Sequence, residues 1–502
     1  MKNKLLQIAP HDSVAVAIEP VRKGETLAVG NVMVTALEDI PAGHKIALED
    51  IKAQEPIIKY GYPIGAAKRD IKAGEHVHGD NLHTLLQESA AYRYDEDRAH
   101  MFKESAEALQ KKWDGHVPTI MAYQRPDGKI GIRNELWIVP TVGCVNRIGE
   151  RLASWANQNL GLEAHIWSHP FGCSQLGDDH EATRRILADL VHHPNAGGVL
   201  VLSLGCENNT PASFRELVGP VDPNRVKFLT CQDVDDEIAS AKTLLSELAE
   251  TIKGDKRTPV PMSRLVVGLK CGGSDGFSGI TANPLVGRFC DELTAMGGTA
   301  ILTEVPEMFG AEQILMNRAE NKAVFEKTVD LINTFKEYFV KHGQVVYENP
   351  SPGNKAGGIS SLEDKSLGCV QKGGQAIVKD VLPYGARVNI PGLNLLSGPG
   401  NDIVSTTALS AAGCHLILFT TGRGTPLGSV VPTMKISSNT PLAEHKQNWI
   451  DFNAGRMLEE DPAKVTDDLL KLVESCASGI YRTKNEQNGY AEISLFKDGV
   501  IL

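Results

Sequence analysis

The chain has 502 residues, of which 42% are hydrophobic and 23% charged, a composition typical of globular proteins. This length exceeds one ordinary core, so we expect about two to four domains. The net charge of -11, without a dense Lys/Arg stripe, argues against a nucleic-acid partner. No run approaches the ~18 apolar residues of a membrane span, and residues 1–14 lack the apolar stretch of a signal peptide. We therefore expect a cytoplasmic protein with no membrane partner.

Residues 1–85 predict a small all-β module. Short β-prone runs are separated by a recurring turn, in which a β-branched residue precedes a polar segment closed by Gly24, Gly43 or Gly74. Each copy leads into a new strand, and this punctuation is typical of an all-β fold.

The rest of the chain predicts a multi-domain α/β protein with mostly parallel sheets. Residues 86–117 are charged and poor in β-branched residues, which indicates a linker, partly helical. From residue 118 onward, apolar runs alternate with helical patterns and Gly-rich turns. A polar segment at residues 253–261 predicts a boundary between α/β domains at 118–258 and 259–502.

Three apolar, strand-like runs end near a cysteine, at Cys144, Cys206 and Cys271. Ligands of parallel α/β sheets bind beyond the carboxyl ends of the strands, and the dipole of a following helix favours thiolate there. The three thiols therefore predict one soft, anion-binding pocket. The nine cysteines contain no Cys-x-x-Cys pair, and their scatter indicates reduced thiols. Five other cysteines are expected to be inert, buried core residues: Cys231, Cys290, Cys369, Cys414 and Cys476.

Three glycine-rich loops are candidates for anion binding. Residues 270–284 place four glycines among polar side chains, so that backbone N–H groups can converge on an anion. A loop at residues 420–426 offers Arg423, whose planar fork suits a carboxylate. A Gly/Pro-framed turn at residues 349–358 carries Lys355, which suits acid/base chemistry or carboxylate binding. The candidate binding residues are Ser274, Asp275 and Asn283, then Asn354, then Arg423, Gly424 and Thr425. For each loop, a structural turn with a solvated charge is the alternative.

Histidines supply further candidates. His76 and His78 lie two apart, so they share one face of a strand at a spacing suited to metal ligation. Two exposed strand histidines would have the same pattern. His44 ends a glycine turn, and His169 precedes a Phe-Gly-Cys segment.

Together these motifs resemble the altronate dehydratase family, a group of sugar-acid dehydratases that also includes galactarate dehydratase. The resemblance covers essentially the whole chain. Residues 43–45 and 59–65 are similar to the SAF (β-clip) domain of that family. The rest is carried by residues 133–137, 172–180, 204–209, 270–284, 304–307, the Lys355 loop and the Arg423 loop.

The resemblance implies conversion of D-altronate to 2-dehydro-3-deoxy-D-gluconate and water in hexuronate catabolism, with Fe(2+) or Mn(2+) required. Removing the α-proton of a carboxylate builds a second negative charge, which a cation and hydrogen-bond donors must stabilise. We expect His44, His169 and Lys355 to transfer protons, and Arg423 or the glycine loop to bind the carboxylate.

Two metal sites remain open. In the first, Cys144, Cys206 and Cys271 hold iron, either as a single ion or as an Fe–S cluster in which one iron has an open coordination position. In the second, harder nitrogen and oxygen ligands from His44, His76, His78 or Asp275 form a site that would accept manganese. We favour the thiols, and we expect a homo-oligomer.

Three functions compete with altronate dehydration. The first is dehydration of a related sugar acid such as galactarate, and the second is binding of sugar acids by a sensor without turnover. A thiol-based oxidoreductase or acyl-transfer enzyme needs a nucleophilic cysteine paired with histidine, and His169 with Cys173 is the local pair.

Overall fold

A computed structural model describes residues 3–87 and 92–502. Residues 88–91, at the start of the predicted linker, lie outside the described residues. Residues 3–87 form the predicted all-β module, made of antiparallel sheets ordered β1-β2-β5-β8, β3-β4 and β6-β7-β9. Its strands are β1 (Leu5–Leu6), β2 (Val14–Ala17), β3 (Thr26–Val29), β4 (Val32–Thr35), β5 (Lys45–Ala47), β6 (Pro56–Lys59), β7 (Tyr62–Ala67), β8 (His76–Val77) and β9 (Leu82–His83).

A helix occupies most of the predicted linker. Helix α1 (Glu96–Lys112) is capped at its N-terminus by Asp95, whose carboxylate accepts a hydrogen bond from the Arg98 backbone N–H. At its other end, Trp113 Nε1 donates to Glu292 in the C-terminal domain at 2.6 Å. The linker therefore lies against the C-terminal domain as a docked helix.

The next part of the chain contains a four-stranded parallel sheet ordered β13-β12-β14-β15. Strand β14 is buried at all eight positions, as expected where helices cover both faces of a sheet. Strand β16 pairs with β10 over five residues, and the predicted domain boundary after residue 258 lies inside it. The elements are β10 (Thr119–Gln124), β11 (Ile130–Gly131), β12 (Glu135–Pro140), α2 (Asn146–Asn159), β13 (Ala164–Ile166), α3 (Gly177–Val191), β14 (Ala196–Ser203), α4 (Pro211–Val218), β15 (Val226–Thr230), α5 (Glu237–Lys253) and β16 (Arg257–Pro261).

The C-terminal domain is built on a seven-stranded parallel sheet ordered β19-β20-β18-β17-β21-β22-β23. Its strands are β17 (Val266–Cys271), β18 (Thr299–Leu302), β19 (Val378–Leu382), β20 (Gly392–Leu396), β21 (Leu416–Thr421), β22 (Thr433–Ser437) and β23 (Phe452–Asn453). Its helices are α6 (Ala282–Ala295), α7 (Glu312–Met316), α8 (Lys322–Lys341), α9 (Pro352–Ala356), α10 (Leu362–Cys369), α11 (Asp402–Ala411), α12 (Thr440–His445), α13 (Pro462–Ala477) and α14 (Lys484–Asn488).

Shared cores hold the domains together. One cluster of buried side chains joins Trp137 and Val199 of the four-stranded sheet to Leu409 and Ile417 of the C-terminal domain. A second cluster includes residues of the all-β module and of the C-terminal domain. The fold is therefore the predicted α/β architecture with an N-terminal β module. Across the two ranges that the structure covers, no helix is long and apolar enough to cross a membrane.

Candidate active site

Three histidines of the β module converge on one point. His44 precedes β5, and His76 and His78 begin and follow β8, which pairs with β5. One ring nitrogen from each lies within 4.8 Å of the other two. His44 Nδ1 and His76 Nε2 are 2.9 Å apart. Strand pairing thus adds His44 to the pair that period-two spacing predicts.

The surroundings keep these imidazoles neutral and one nitrogen unpaired. Burial lowers the pKa of His44 and of His78 to about 4, and it also lowers the pKa of His76. Neutral imidazole is the form that ligates metals. His44 Nε2 donates to the Ala356 carbonyl at 3.3 Å, so its Nδ1 lone pair faces the other two rings. Within the described part of the chain, the buried His78 Nδ1 has no hydrogen-bond partner. A divalent cation would satisfy both nitrogens, so the group fits a metal site.

Close glycine contacts bring the histidine group against the C-terminal domain. A Cβ atom on Gly276 would lie 1.9 Å from the Gly43 carbonyl oxygen, and one on Gly358 would lie 2.3 Å from it. Gly276 N–H also donates to the Gly357 carbonyl at 2.7 Å. These contacts require glycine because any side chain would separate the three loops. They place His44 beside two of the predicted anion-binding loops.

The third predicted loop joins the same place. The backbone N–H groups of Gly422 and Arg423 donate to the Gly273 carbonyl at 3.1 and 3.0 Å. Arg423 Nη1 lies 3.5 Å from the Gly353 carbonyl oxygen, and its side chain is exposed. The Arg423 guanidinium is thus held at the junction of all three loops and remains open to a carboxylate.

Most other predicted binding residues hold the loops in place. The Asp275 carboxylate accepts hydrogen bonds from Ser278, Ser438 and Asn439, and burial raises its pKa. Asn283 bridges Thr420 and Gly368, and Asn354 donates to the Ser274 carbonyl at 2.8 Å. Gly424 and Thr425 cap the turn after Arg423 through bonds to Thr421 and Leu427. Lys355, by contrast, is exposed one residue before the carbonyl that His44 contacts.

A buried ion triplet fixes the module to the C-terminal domain. Lys45 and Lys59 of the module each donate to Asp364 of α10 at 2.9 Å. Their side chains are 0% and 2% exposed, and that of Asp364 is 1% exposed. Burial lowers the pKa of Lys45 to about 8 although Asp364 opposes this effect. The sequence carries one signal of this triplet, which is a lysine in each of two otherwise apolar β strands.

Cys271 lies in a second buried polar cluster. Its sulfur is 3.4 Å from Cys369 Sγ, 3.0 Å from Lys372 Nζ and 3.0 Å from a Glu307 oxygen. Burial alone would raise the pKa of the Glu307 carboxyl, but Lys365 and Lys372 lower it to about 2. The positive charges of Lys365 and Lys372 therefore already balance the negative charge of the Glu307 carboxylate. Cys369, expected to be an inert core thiol, is part of this cluster.

The predicted grouping of Cys144, Cys206 and Cys271 is wrong. Cys144 and Cys206 are exposed beyond the four-stranded sheet, whereas Cys271 is buried at the end of β17 in the seven-stranded sheet. Among the described residues, these thiols do not form a group with sulfurs within 4.8 Å. Three similar strand ends occur in the sequence, but they belong to two different sheets.

The proton-transfer role predicted for His169 also conflicts with its environment. His169 is 2% exposed, and its Nε2 donates to the Pro140 carbonyl while its Nδ1 accepts from the Phe171 N–H. Burial lowers its pKa to about 4. Both nitrogens are occupied by backbone, so His169 positions the loop after β13. The same contacts argue against pairing His169 with Cys173 as a nucleophile.

Comparison with known proteins gives the family. Profiles described as "Altronate/galactarate dehydratase SAF domain", "D-galactarate dehydratase/Altronate hydrolase, second domain" and "D-galactarate/Altronate dehydratase, C-terminal" match residues 3–85, 122–253 and 262–501. Altronate dehydratase of Bacillus subtilis is 52% identical, with 99% of each chain covered. The chain belongs to the altronate/galactarate dehydratase family. Within this family, altronate dehydratase of Escherichia coli is 50% identical over 99% of both chains. Galactarate dehydratase (L-threo-forming) of Escherichia coli is 33% identical over 90% of this chain and 89% of its own.

Proposed function

We propose that this protein is an altronate dehydratase, a hydro-lyase that converts D-altronate to 2-dehydro-3-deoxy-D-gluconate and water in hexuronate catabolism. The observation that carries the proposal is the 50–52% identity, end to end, with two altronate dehydratases. The galactarate enzyme, at 33% identity, is more distant. A purely sugar-acid-binding role is disfavoured by the same full-length match to enzymes.

We further propose that His44, His76 and His78 hold the divalent cation, Fe(2+) or Mn(2+). Their neutral rings and the unpaired His78 Nδ1 support this assignment. Imidazole nitrogens accept both metals, whereas thiolates would favour iron over manganese. When bound, the cation would supply Lewis-acid stabilisation of the charge that develops on the substrate carboxylate.

The side chains around the histidines divide the remaining tasks. The exposed Arg423 guanidinium binds the substrate carboxylate, assisted by backbone donors of the adjacent glycine loops. Lys355 moves the proton: as the neutral amine it accepts the proton from C2, and as the ammonium it donates to the departing C3 hydroxyl. His44, as a ligand, positions the loop that carries Lys355 through its bond to the Ala356 carbonyl.

The test is metal content and turnover in single variants. His44→Ala, His76→Ala and His78→Ala proteins are dialysed against Mn(2+), and bound metal and keto-deoxy-acid product are measured. His11→Ala is the matched control because His11 is an exposed histidine of the same module. We expect each site variant to lose bound metal and turnover, and the control to keep both. Wild-type metal content in all three site variants would contradict the assignment.

Lys355 and the substrate are tested separately. We expect Lys355→Ala to retain metal but to lose about 100-fold or more in kcat, in line with general acid–base catalysis. Turnover of D-altronate at least equal to that of galactarate supports the proposed substrate, and a preference for galactarate contradicts it.

Two broader properties complete the proposal. All nine cysteines are free thiols in the described residues, which supports a reducing, cytoplasmic location. We also propose a homo-oligomer, which light scattering coupled to size-exclusion chromatography tests.

A further inference from the structure

Every strand of the four-stranded parallel sheet is followed by a cysteine. Cys144 follows β12, Cys173 follows β13, Cys206 follows β14 and Cys231 follows β15. Parallel strands place their carboxyl ends at one sheet edge, which is where ligands of α/β sheets bind. Cys144, Cys173 and Cys206 are exposed. Three accessible thiols thus share one edge, and Cys173 takes the place that was predicted for Cys271.

Backbone hydrogen bonds join the three loops that carry these exposed thiols. Gly143 N–H donates to the Phe171 carbonyl at 2.9 Å, and Asn209 N–H donates to the Gly172 carbonyl at 3.0 Å. A Cβ atom on Gly172 would lie 2.0 Å from the Thr141 carbonyl oxygen. The loop before Cys173 is therefore wedged between the loops of Cys144 and Cys206. The loops that carry the three thiols are neighbours because their backbones are hydrogen-bonded to one another.

The backbone beside two of the thiols is in an unusual conformation. Gly172 and Gly205, which precede Cys173 and Cys206, have φ values of 98° and 130°. Ser174, directly after Cys173, has φ of 62° although it is not glycine. Left-handed conformations in non-glycine residues cost about 1–3 kcal/mol and concentrate at functional sites.

Helix N-termini surround the same edge. Helix α2 starts at Asn146 and α3 at Gly177, after Cys144 and Cys173 respectively, and α4 starts at Pro211 after Cys206. The partial positive charge of a helix N-terminus stabilises thiolate over thiol. An anionic group ligated by thiolates gains from the same fields.

Buried polar atoms without partners provide independent support for a missing occupant. In the described part of the chain, Asn146 Oδ1, Ser168 Oγ, Gln175 Nε2 and Asn209 Oδ1 are buried and make no hydrogen bond. All four belong to the three thiol loops or to the helix that follows directly. Leaving buried polar atoms unpaired costs about 1–3 kcal/mol each, so their concentration here indicates a bound polar group. Ser168 Oγ and Gln175 Nε2 are the two that can donate a hydrogen bond to an anionic occupant.

We propose that Cys144, Cys173 and Cys206 ligate an iron–sulfur cluster of the [4Fe–4S] type, with one iron that has no protein ligand. Thiolates select iron–sulfur clusters or zinc among biological metals. In the described structure, the three sulfurs do not all lie within the 4.8 Å that marks a single-ion group. A cluster spans a wider gap than one ion, because each cysteine binds a different iron. This centre is separate from the histidine group and does not depend on the proposed function.

The chain offers matched controls for a test. Cys231 lies at the same sheet edge, but burial raises the pKa of its thiol to about 11, which disfavours ligation. Cys271 lies in the other sheet. Full-length protein is expressed with iron and purified anaerobically, and iron, zinc and acid-labile sulfide are quantified for each variant. Cys144→Ser, Cys173→Ser and Cys206→Ser are compared with Cys231→Ser and Cys271→Ser.

We expect the wild type and both controls to contain about four sulfides and at least four irons per chain, with the broad visible absorbance of a cluster. Iron beyond the sulfide count is Fe(2+) held by the histidine group. Each of the three site variants loses most of the sulfide. Absence of sulfide from the wild type, zinc in its place, or sulfide loss in Cys271→Ser with retention in Cys173→Ser overturns the proposal.

A second measurement covers variants that fail to fold. Wild-type protein is alkylated before and after the iron is removed by chelation, and the modified cysteines are mapped by mass spectrometry. Protection of Cys144, Cys173 and Cys206 that disappears with the iron supports ligation. Equal alkylation in both states overturns it. Manganese binding by the histidine group, measured in parallel, reports on the proposed function alone.

Discussion

Removing Asp364 should detach the β module from the C-terminal domain. Asp364 accepts bonds from Lys45 and Lys59 at 2.9 Å, and also from Ser360 N–H at 3.1 Å and Ser360 Oγ at 3.2 Å. All three charged side chains are at most 2% exposed. Breaking a buried ion pair from one side costs about 3–5 kcal/mol, because the remaining charge is left without compensation. Here two lysines lose their partner, so the cost of Asp364→Ala should not lie at the low end of that range.

The consequence extends to the active site because Lys45 directly follows His44. We expect Asp364→Ala to lower the free energy of unfolding by about 4 kcal/mol and to reduce bound Mn(2+) and turnover. Urea unfolding and limited proteolysis between the module and the C-terminal domain measure the loss. Asp70→Ala is the control, since Asp70 pairs with Lys52 at 3.0 Å in the same module but with side chains 53% and 62% exposed. That variant should remain close to wild type.

Two results would refute the reasoning. If Asp364→Ala and Asp70→Ala unfolded at the same urea concentration, burial of the triplet would not be stabilising the docked module. If Asp364→Ala were unstable yet bound Mn(2+) with wild-type affinity, the histidine group would not depend on docking.

Three further predictions concern the histidine group and its loops. Because burial lowers the pKa of His44 and His78 to about 4, and also lowers that of His76, protons compete with metal mainly well below the ordinary histidine pKa. Mn(2+) affinity should therefore change little between pH 7 and 6 and fall most steeply as the pH approaches 4, and an isothermal titration series with a midpoint near 6.5 would contradict this. Arg423→Ala should raise the KM for altronate about 10- to 100-fold, the value of a charge-assisted hydrogen bond, and an unchanged KM would remove Arg423 from carboxylate binding. Gly276→Ala should reduce turnover strongly because its Cβ would lie 1.9 Å from the Gly43 carbonyl oxygen. Gly353→Ala, whose Cβ would meet no atom within 4 Å, should leave turnover nearly unchanged, and equal activities of the two variants would refute the close-contact argument.

Local patterns in the sequence were sufficient for much of the architecture. The all-β module, the parallel sheets and the helices follow from hydrophobic periodicity and glycine turns, which depend on neighbouring residues only. The three loops predicted to bind anions were also visible in the sequence, and the structure brings them together. The Lys45–Asp364–Lys59 triplet was not visible, because Asp364 lies 319 residues from Lys45 and 305 residues from Lys59 in sequence.

The cysteines show most directly what the sequence determined by itself and what only tertiary structure decided. The sequence determined that Cys144, Cys206 and Cys271 lie at or after strand ends, because apolar β runs are local. It could not decide which sheet each strand joins, since that depends on long-range pairing. Strand β17 pairs with β18 and β21, so Cys271 lies in the other domain. Strand β13 is only three residues long and contains a histidine, so the apolar pattern did not reveal a strand before Cys173. The pairing of β13 with β12 nevertheless brings Cys173 to the sheet edge that Cys144 and Cys206 occupy.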